Sequence, residues 1–153
     1  MSSELAGEPI LFHYPASLFS EKVRVAFGLR KIAWRSVEVP PILPRPELMA
    51  LTGGYRKIPV LQIGADLYCD TELILPVLDS IAASGPTLSP AAGLEWPIVR
   101  WVDTAWFQSA VGTIFGSLPD GAVPEEFIRD REQLSGRPFD LQAMRAASPH
   151  LRG

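Results

Sequence analysis

Tyr55-Arg56-Lys57-Ile58-Pro59-Val60-Leu61-Gln62-Ile63 continues through Gly64-Ala65-Asp66 into Leu67-Tyr68-Cys69-Asp70-Thr71-Glu72. It reads as a strand, a tight turn, a second strand and the first residues of a helix. Pro59 lies one residue into the first strand, where it donates no ladder hydrogen bond and restricts the backbone of Ile58. A proline is accommodated at the first residue of a strand or on a sheet edge. A cis peptide at Ile58-Pro59 is the sharper alternative, and it would turn the Ile58 backbone outward. Proline alone leaves trans as the default, so the neighbouring sequence has to decide.

Upstream, Ile10-Leu11-Phe12-His13-Tyr14 is a short apolar run stopped by Pro15, the pattern of a buried strand. His13 within it fits a hydrogen-bonded core histidine better than a catalytic base. Ser17 and Ser20 are both suited to cap the helix that follows, from Glu21 to Ile32. Val23, Ala26, Phe27 and Leu29 give that helix an apolar stripe, and Arg30 and Lys31 place cations at its C-terminal end. Gly28 inside it suggests close packing on a strand. Trp34 to Val39 alternates as a second strand, ended by Pro40-Pro41. A strand, helix and strand so closely spaced predict a parallel pair joined by a right-handed crossover. Pro40 to Pro46 reads as loop, and Glu47 to Leu51 as a short helix ended by Gly53-Gly54. The hairpin turns at Gly64-Ala65. A helix then runs from Thr71 to Ala83, capped by Asp70 or Thr71, and Pro76 should kink it.

Composition narrows the function. The chain has 153 residues, 47% hydrophobic and 20% charged, with net charge −3. Those proportions fit a globular protein with a substantial core, and the charge speaks against nucleic acid as a partner. Cys69 is the only cysteine, which excludes an internal disulfide and a Cys-x-x-Cys redox pair. His13 and His150 are far apart in sequence and do not make a metal site by themselves. Met1 to Pro9 lacks the basic end and apolar run of a secretory signal. The uncharged stretch Thr104 to Pro119 is too short for a membrane span. A cytoplasmic protein is the expectation.

Ser84 to Pro90 is linker-like, and no strand pattern returns after it. Leu94, Ile98, Trp101, Val102 and Ala105 recur at helical spacing, predicting one helix from Gly93 to Phe115. Trp96, Trp101 and Trp106 read as packing residues, with a pocket wall or a subunit contact as the alternative. Pro124 to Leu134 is a punctuated helix: proline at its start, acids in its first turn, Gly136 after its end. Asp140 to Ala146 is a shorter candidate.

The order β-α-β-α-β-β-α, with a proline opening the third strand, resembles the thioredoxin fold. It more closely resembles the N-terminal domain of the cytosolic glutathione transferases. The resemblance covers about Ile10 to Ala83. It rests on Ser17-Leu18-Phe19-Ser20-Glu21-Lys22-Val23-Arg24, on Lys57-Ile58-Pro59-Val60-Leu61, and on Asp70-Thr71 opening the third helix. It implies an α/β fold: a thioredoxin-like domain over residues 1–84, then an incomplete all-helical domain over residues 85–153. The chain ends short of the helices with which the family completes that second domain, which suggests a fragment.

The resemblance also implies the chemistry. Glutathione would be the co-substrate, with no metal, and its thiolate would be conjugated to a small apolar electrophile, as in detoxification by a cytoplasmic homodimer. With Pro59 cis, Ile58 would pair with the backbone of the bound peptide as an added strand does. Asp70 and Thr71 would hold the γ-glutamyl group, and Lys57, with Arg56 beside it, would face the glycyl carboxylate. Ser17 stands where serine-type members carry the hydroxyl that stabilises the thiolate, and it fits a plain helix cap equally well. Tyr14 is the second candidate for that donor. Cys69 fits a small buried hydrophobe. A catalytically silent binding module of the same fold is the alternative.

Overall fold

The computed structural model describes residues 7–90 and 93–151, which fall into two compact units divided between Ser89 and Pro90. The first contains β1 (Ile10–His13), α1 (Leu18–Arg30), β2 (Arg35–Glu38), α2 (Pro46–Leu51), β3 (Val60–Ile63), β4 (Asp66–Cys69) and α3 (Thr71–Ile81). The strands form one sheet in the order β2-β1-β3-β4. β1 and β2 are parallel, while β1 with β3 and β3 with β4 are antiparallel. This is the α/β order read from the sequence.

Side-chain spacing accounts for the packing. Val23, Ala26 and Phe27 recur at helical spacing on α1, as Ile74 and Leu78 do on α3, and all five are buried. They close over Leu11, Leu61 and Ile63 in a single core, with Trp34 stacked on Phe27 at a centroid distance of 5.1 Å. Leu11 and Leu61 are direct cross-strand partners on β1 and β3. β3 and β4 are joined by the two-residue turn Gly64-Ala65, with Gly64 at φ 60°. Only glycine takes that conformation without a steric penalty. Both Ile58-Pro59 and Leu43-Pro44 are cis; the second had no signal in the sequence.

Three local expectations are corrected. A Cβ built on Gly28 would meet nothing within 4 Å, so this glycine faces outward and serves no strand contact. Arg30 does more than suit a helix terminus. It is buried, its guanidinium donates to the carbonyls of Gly85, Pro86 and Asp79, and its Nε lies 3.4 Å from Asp79 Oδ1. The Asp79 carboxylate in turn accepts from Leu88 N–H, Ser89 N–H and Ser89 Oγ. The linker-like segment is therefore tied to α1 and α3 up to Ser89. α3 itself continues through Pro76 to Ile81.

The second unit is helical. α4 (Glu95–Trp101), a π-helical turn (Val102–Trp106) and α5 (Phe107–Gly116) follow one another without leaving helical backbone angles, where the sequence predicted one helix. α6 (Glu125–Ser135) ends at Gly136 in the left-handed region, as its punctuation required. α7 (Leu141–Leu151) is longer than expected and continues through Pro149; Asp140 caps it by accepting from Gln142 and Ala143 N–H at 2.9 Å. Gly116 lets α5 approach the Met144 carbonyl of α7, and Phe115, Phe127 and Phe139 cluster between α5, α6 and the start of α7. The packing role expected of Trp96, Trp101 and Trp106 gives way to the alternative for one of them: all three are exposed, Trp101 at 55%, and Trp106 lines a pocket with Ser109, Thr113 and Ile114. Among the described residues, no helix is long and apolar enough to cross a membrane.

Candidate functional site

Strand register brings three sequence-distant segments to one end of the sheet. Val60, the first residue of β3, pairs with Phe12 near the C-terminal end of β1 and with Cys69 at the C-terminal end of β4. The segments leaving those three points therefore emerge side by side. They are Tyr14 to Ser17 after β1, Ile58-Pro59 before β3, and Asp70-Thr71 after β4. The helix N-termini of α1 and α3 open at the same end, and each brings the partial positive charge of a helix start there.

Ser17 caps α1: its Oγ accepts from Ser20 N–H at 3.1 Å, and its backbone N–H donates to Tyr14 O at 3.1 Å. It is 5% exposed. The cap uses one lone pair, so the Ser17 O–H remains a donor. Ser20, the other candidate cap, lies inside α1, fully buried, with its hydroxyl unpaired among the described residues. Tyr14 is half-buried beside the turn.

Asp70 is the cap of α3, at φ 80°, and its Oδ1 accepts from Glu72 N–H at 3.0 Å. It remains exposed, while Thr71 is buried. Ile58 is half-buried and Pro59 buried, whereas Lys57 is exposed. This end of the sheet thus gathers Ser17, Ile58, Pro59, Asp70 and Thr71, with Lys57 one residue further out.

Several site residues had no signal in the sequence. Lys22, on α1, reaches across to α3 and donates to Thr71 Oγ1 at 3.4 Å, which puts a cation at the α3 N-terminus. Tyr55 lies beside the α3 cap: burial, with the charges of Asp70 and Cys69, pushes its phenol up to about 12. Burial, with the Asp70 carboxylate, likewise pushes the Cys69 thiol up, which keeps it neutral and unreactive. Arg45 is a buried cation whose Nε donates to Pro40 O at 2.6 Å and whose guanidinium donates to Arg56 O at 2.7 Å. It fastens the loop that carries Ile58-Pro59. Lys22 and Arg45 are cations held by partners that only the fold brings close, which no local pattern announces.

Chemically, this end of the sheet offers an exposed carboxylate, a lysine, two helix N-termini and a hydroxyl donor. That set suits a small zwitterionic ligand with both an ammonium and carboxylates. Among the described residues no group of three or more His, Cys, Asp or Glu is placed to hold a metal ion.

The family described as "Glutathione S-transferase, N-terminal domain" matches residues 11–87. No curated protein sequence matches the chain. Among solved structures, a GST-like protein from Pseudomonas syringae is 50% identical with a TM-score of 0.61, over 71% of this chain and 40% of that one. Glutaredoxin 2 from Salmonella typhimurium, in complex with glutathione, is 21% identical with a TM-score of 0.64, over 94% of this chain and 66% of that one. A tau class glutathione S-transferase from mango, Mangifera indica, is 19% identical with a TM-score of 0.59, over 83% of this chain and 57% of that one. The chain therefore spans less than two thirds of the length of each of these three proteins.

Proposed function

The chain belongs to the glutathione S-transferase family, matched through its N-terminal domain, and on that premise we propose that it binds glutathione at the end of the sheet where β3 begins and activates its thiol. The observation that carries this reading is the register at Val60, which sets the Ser17 turn, Ile58-Pro59 and Asp70-Thr71 side by side. Residues 1–84 then form the glutathione-binding domain, and residues 85–153 part of a helical domain. Asp70 would receive the γ-glutamyl ammonium, and the α3 N-terminus with Lys22 its carboxylate. Ile58 would pair with the cysteinyl backbone as an added strand. Lys57 would face the glycyl carboxylate. Glutathione is present in the structure of S. typhimurium glutaredoxin 2, which shares this fold.

A free thiol ionises near pH 8.5, and lowering that by two units takes roughly 2.7 kcal/mol in favour of the anion. The Ser17 O–H and the α1 N-terminus are the groups available to supply it. The thiol proton leaves to solvent, the sulfur bonds to an electrophilic carbon, and the displaced electron pair departs with the leaving group or is protonated. With Cys69 neutral and no second cysteine, the chain has no thiol pair for disulfide reduction.

Ser17→Ala tests the assignment. Conjugation to a small apolar electrophile should fall about a hundredfold while Ser17→Thr, which keeps both hydroxyl and cap, retains most of it. Equal rates for Ser17→Ala and the parent chain would remove Ser17 from the chemistry. The burial of Ser17 favours a second reading, a glutathione-binding module without turnover. Measurable conjugation by the purified chain rules that reading out.

A further inference from the structure

Arg24 sits two turns into α1, on the same helix face as Ser17 and Glu21, and its guanidinium points back at the turn that presents Ser17. One terminal nitrogen donates to Pro15 O at 2.9 Å, and the other to Tyr14 O at 3.5 Å and to His13 Nδ1 at 2.9 Å. Its Nε and one terminal nitrogen engage Glu21 Oε2 at 2.8 and 2.5 Å. Tyr14 O also accepts the Ser17 backbone N–H, so one carbonyl ties Arg24 to Ser17. A guanidinium has donors only, so His13 Nδ1 must be the acceptor. His13 is then neutral with its proton on Nε2, which donates to Ser36 Oγ of β2 at 2.7 Å. His13 is buried, and Trp34 closes over it edge to face at 5.6 Å.

We propose that Arg24 is a positioning residue for the Ser17 turn of the proposed glutathione site, and that neutral His13 is the latch that holds its guanidinium in place. The assignment rests on the glutathione reading for its ligand but not for its geometry. A fork is needed: a lysine at this position carries its donors on one atom and cannot reach Pro15 O, Tyr14 O, His13 Nδ1 and Glu21 Oε2 together. Protonating His13 puts a hydrogen on Nδ1 that faces a guanidinium hydrogen, which turns an attraction into a repulsion between cations. The charged groups acting on the imidazole are Arg24 from α1 and Glu38, its register partner, from β2, while Glu21 pairs with Arg24. Burial and the Arg24 charge hold His13 below its ordinary value of 6.5, against an opposing effect of Glu38. The neutral latch is therefore intact at neutral pH, and acid opens it.

Two readouts on the intact chain test this. Hydrogen exchange at the Ser17 amide reports the turn without any ligand. It should accelerate about tenfold as pH falls below 6.5 through the lowered His13 titration, after correction for intrinsic rates, and Arg24→Gln should show the accelerated rate already at neutral pH. His13→Asn, whose side-chain oxygen can accept from Arg24 but does not titrate, should hold the slow rate through the same range. In parallel, glutathione affinity by calorimetry should fall about fivefold in Arg24→Gln at neutral pH. A Ser17 amide that ignores both acid and Arg24→Gln overturns the clamp, as does an acid step that survives in His13→Asn. If the amide responds as expected while the parent chain binds no glutathione, the clamp stands and the ligand assignment falls instead.

Discussion

Asp79→Ala removes the carboxylate that ties α3 to Arg30 and to residues 88–89. Its oxygens accept four hydrogen bonds from Leu88 and Ser89, two of them from Ser89, and one lies 3.4 Å from Arg30 Nε. At that separation, with an effective dielectric constant of 20, the gross attraction is about 5 kcal/mol. Both side chains are largely buried, at 8% and 15% exposure, so much of that attraction is offset by lost hydration. Removing one partner leaves Arg30 buried without its counter-charge, an expected loss of about 3–5 kcal/mol. That is a large share of the roughly 5–15 kcal/mol that stabilises a typical domain. Asp79→Asn, which keeps one acceptor oxygen for the Leu88 and Ser89 amides, should lose less. Burial alone would push the Asp79 carboxyl up, but the Ser89 and Leu88 hydrogen bonds and the Arg30 charge outweigh it and leave it lowered. A lowered carboxyl gives stability that is complete above its unfolded value and is lost as pH falls through the folded one. Urea unfolding followed by circular dichroism, from neutral to acid pH, measures both effects. A loss under 1 kcal/mol in Asp79→Ala, or a difference from the parent chain that grows toward acid pH, would refute the reasoning.

Gly28→Ala should stabilise the first unit by about 0.5–1 kcal/mol, because the added methyl meets nothing and the unfolded chain loses freedom; urea unfolding reads it. Gly116→Ala should do the reverse and cost about 1–3 kcal/mol, since its methyl would press into the Met144 carbonyl of α7; loss of helical signal at lower temperature measures it. Lys22→Met should weaken glutathione binding about fivefold at unchanged stability, through loss of the cation beside Thr71; calorimetry with a parallel thermal melt separates the two.

The elements that were legible in the sequence are those written in local punctuation. Gly64-Ala65 between two alternating runs, Asp70 before an apolar stripe, and Pro124 with Gly136 around α6 each declare a boundary within a few residues. The candidate site was legible as far as it lies on such boundaries: Ser17, Ile58-Pro59 and Asp70-Thr71 all sit at element ends. Its supporting cations were not. Lys22, Arg24, Arg30 and Arg45 have no pattern that separates a cation held by the fold from a solvated one. Their partners are backbone carbonyls and side chains brought close only by the fold. His13 was rightly read as a bonded interior histidine, but its partners Ser36 and Arg24 come from β2 and α1. The tryptophans of α4 and the π-helical turn failed for the opposite reason. Their apolar character predicts burial, and in this chain they are exposed.

Titration of the chain with glutathione by calorimetry at neutral pH tests the central claim. Saturable one-to-one binding with a Kd at or below about 1 mM, weakened by Asp70→Ala, is the predicted result. No saturable heat from a chain shown to be folded, or binding that Asp70→Ala leaves unchanged, would contradict it.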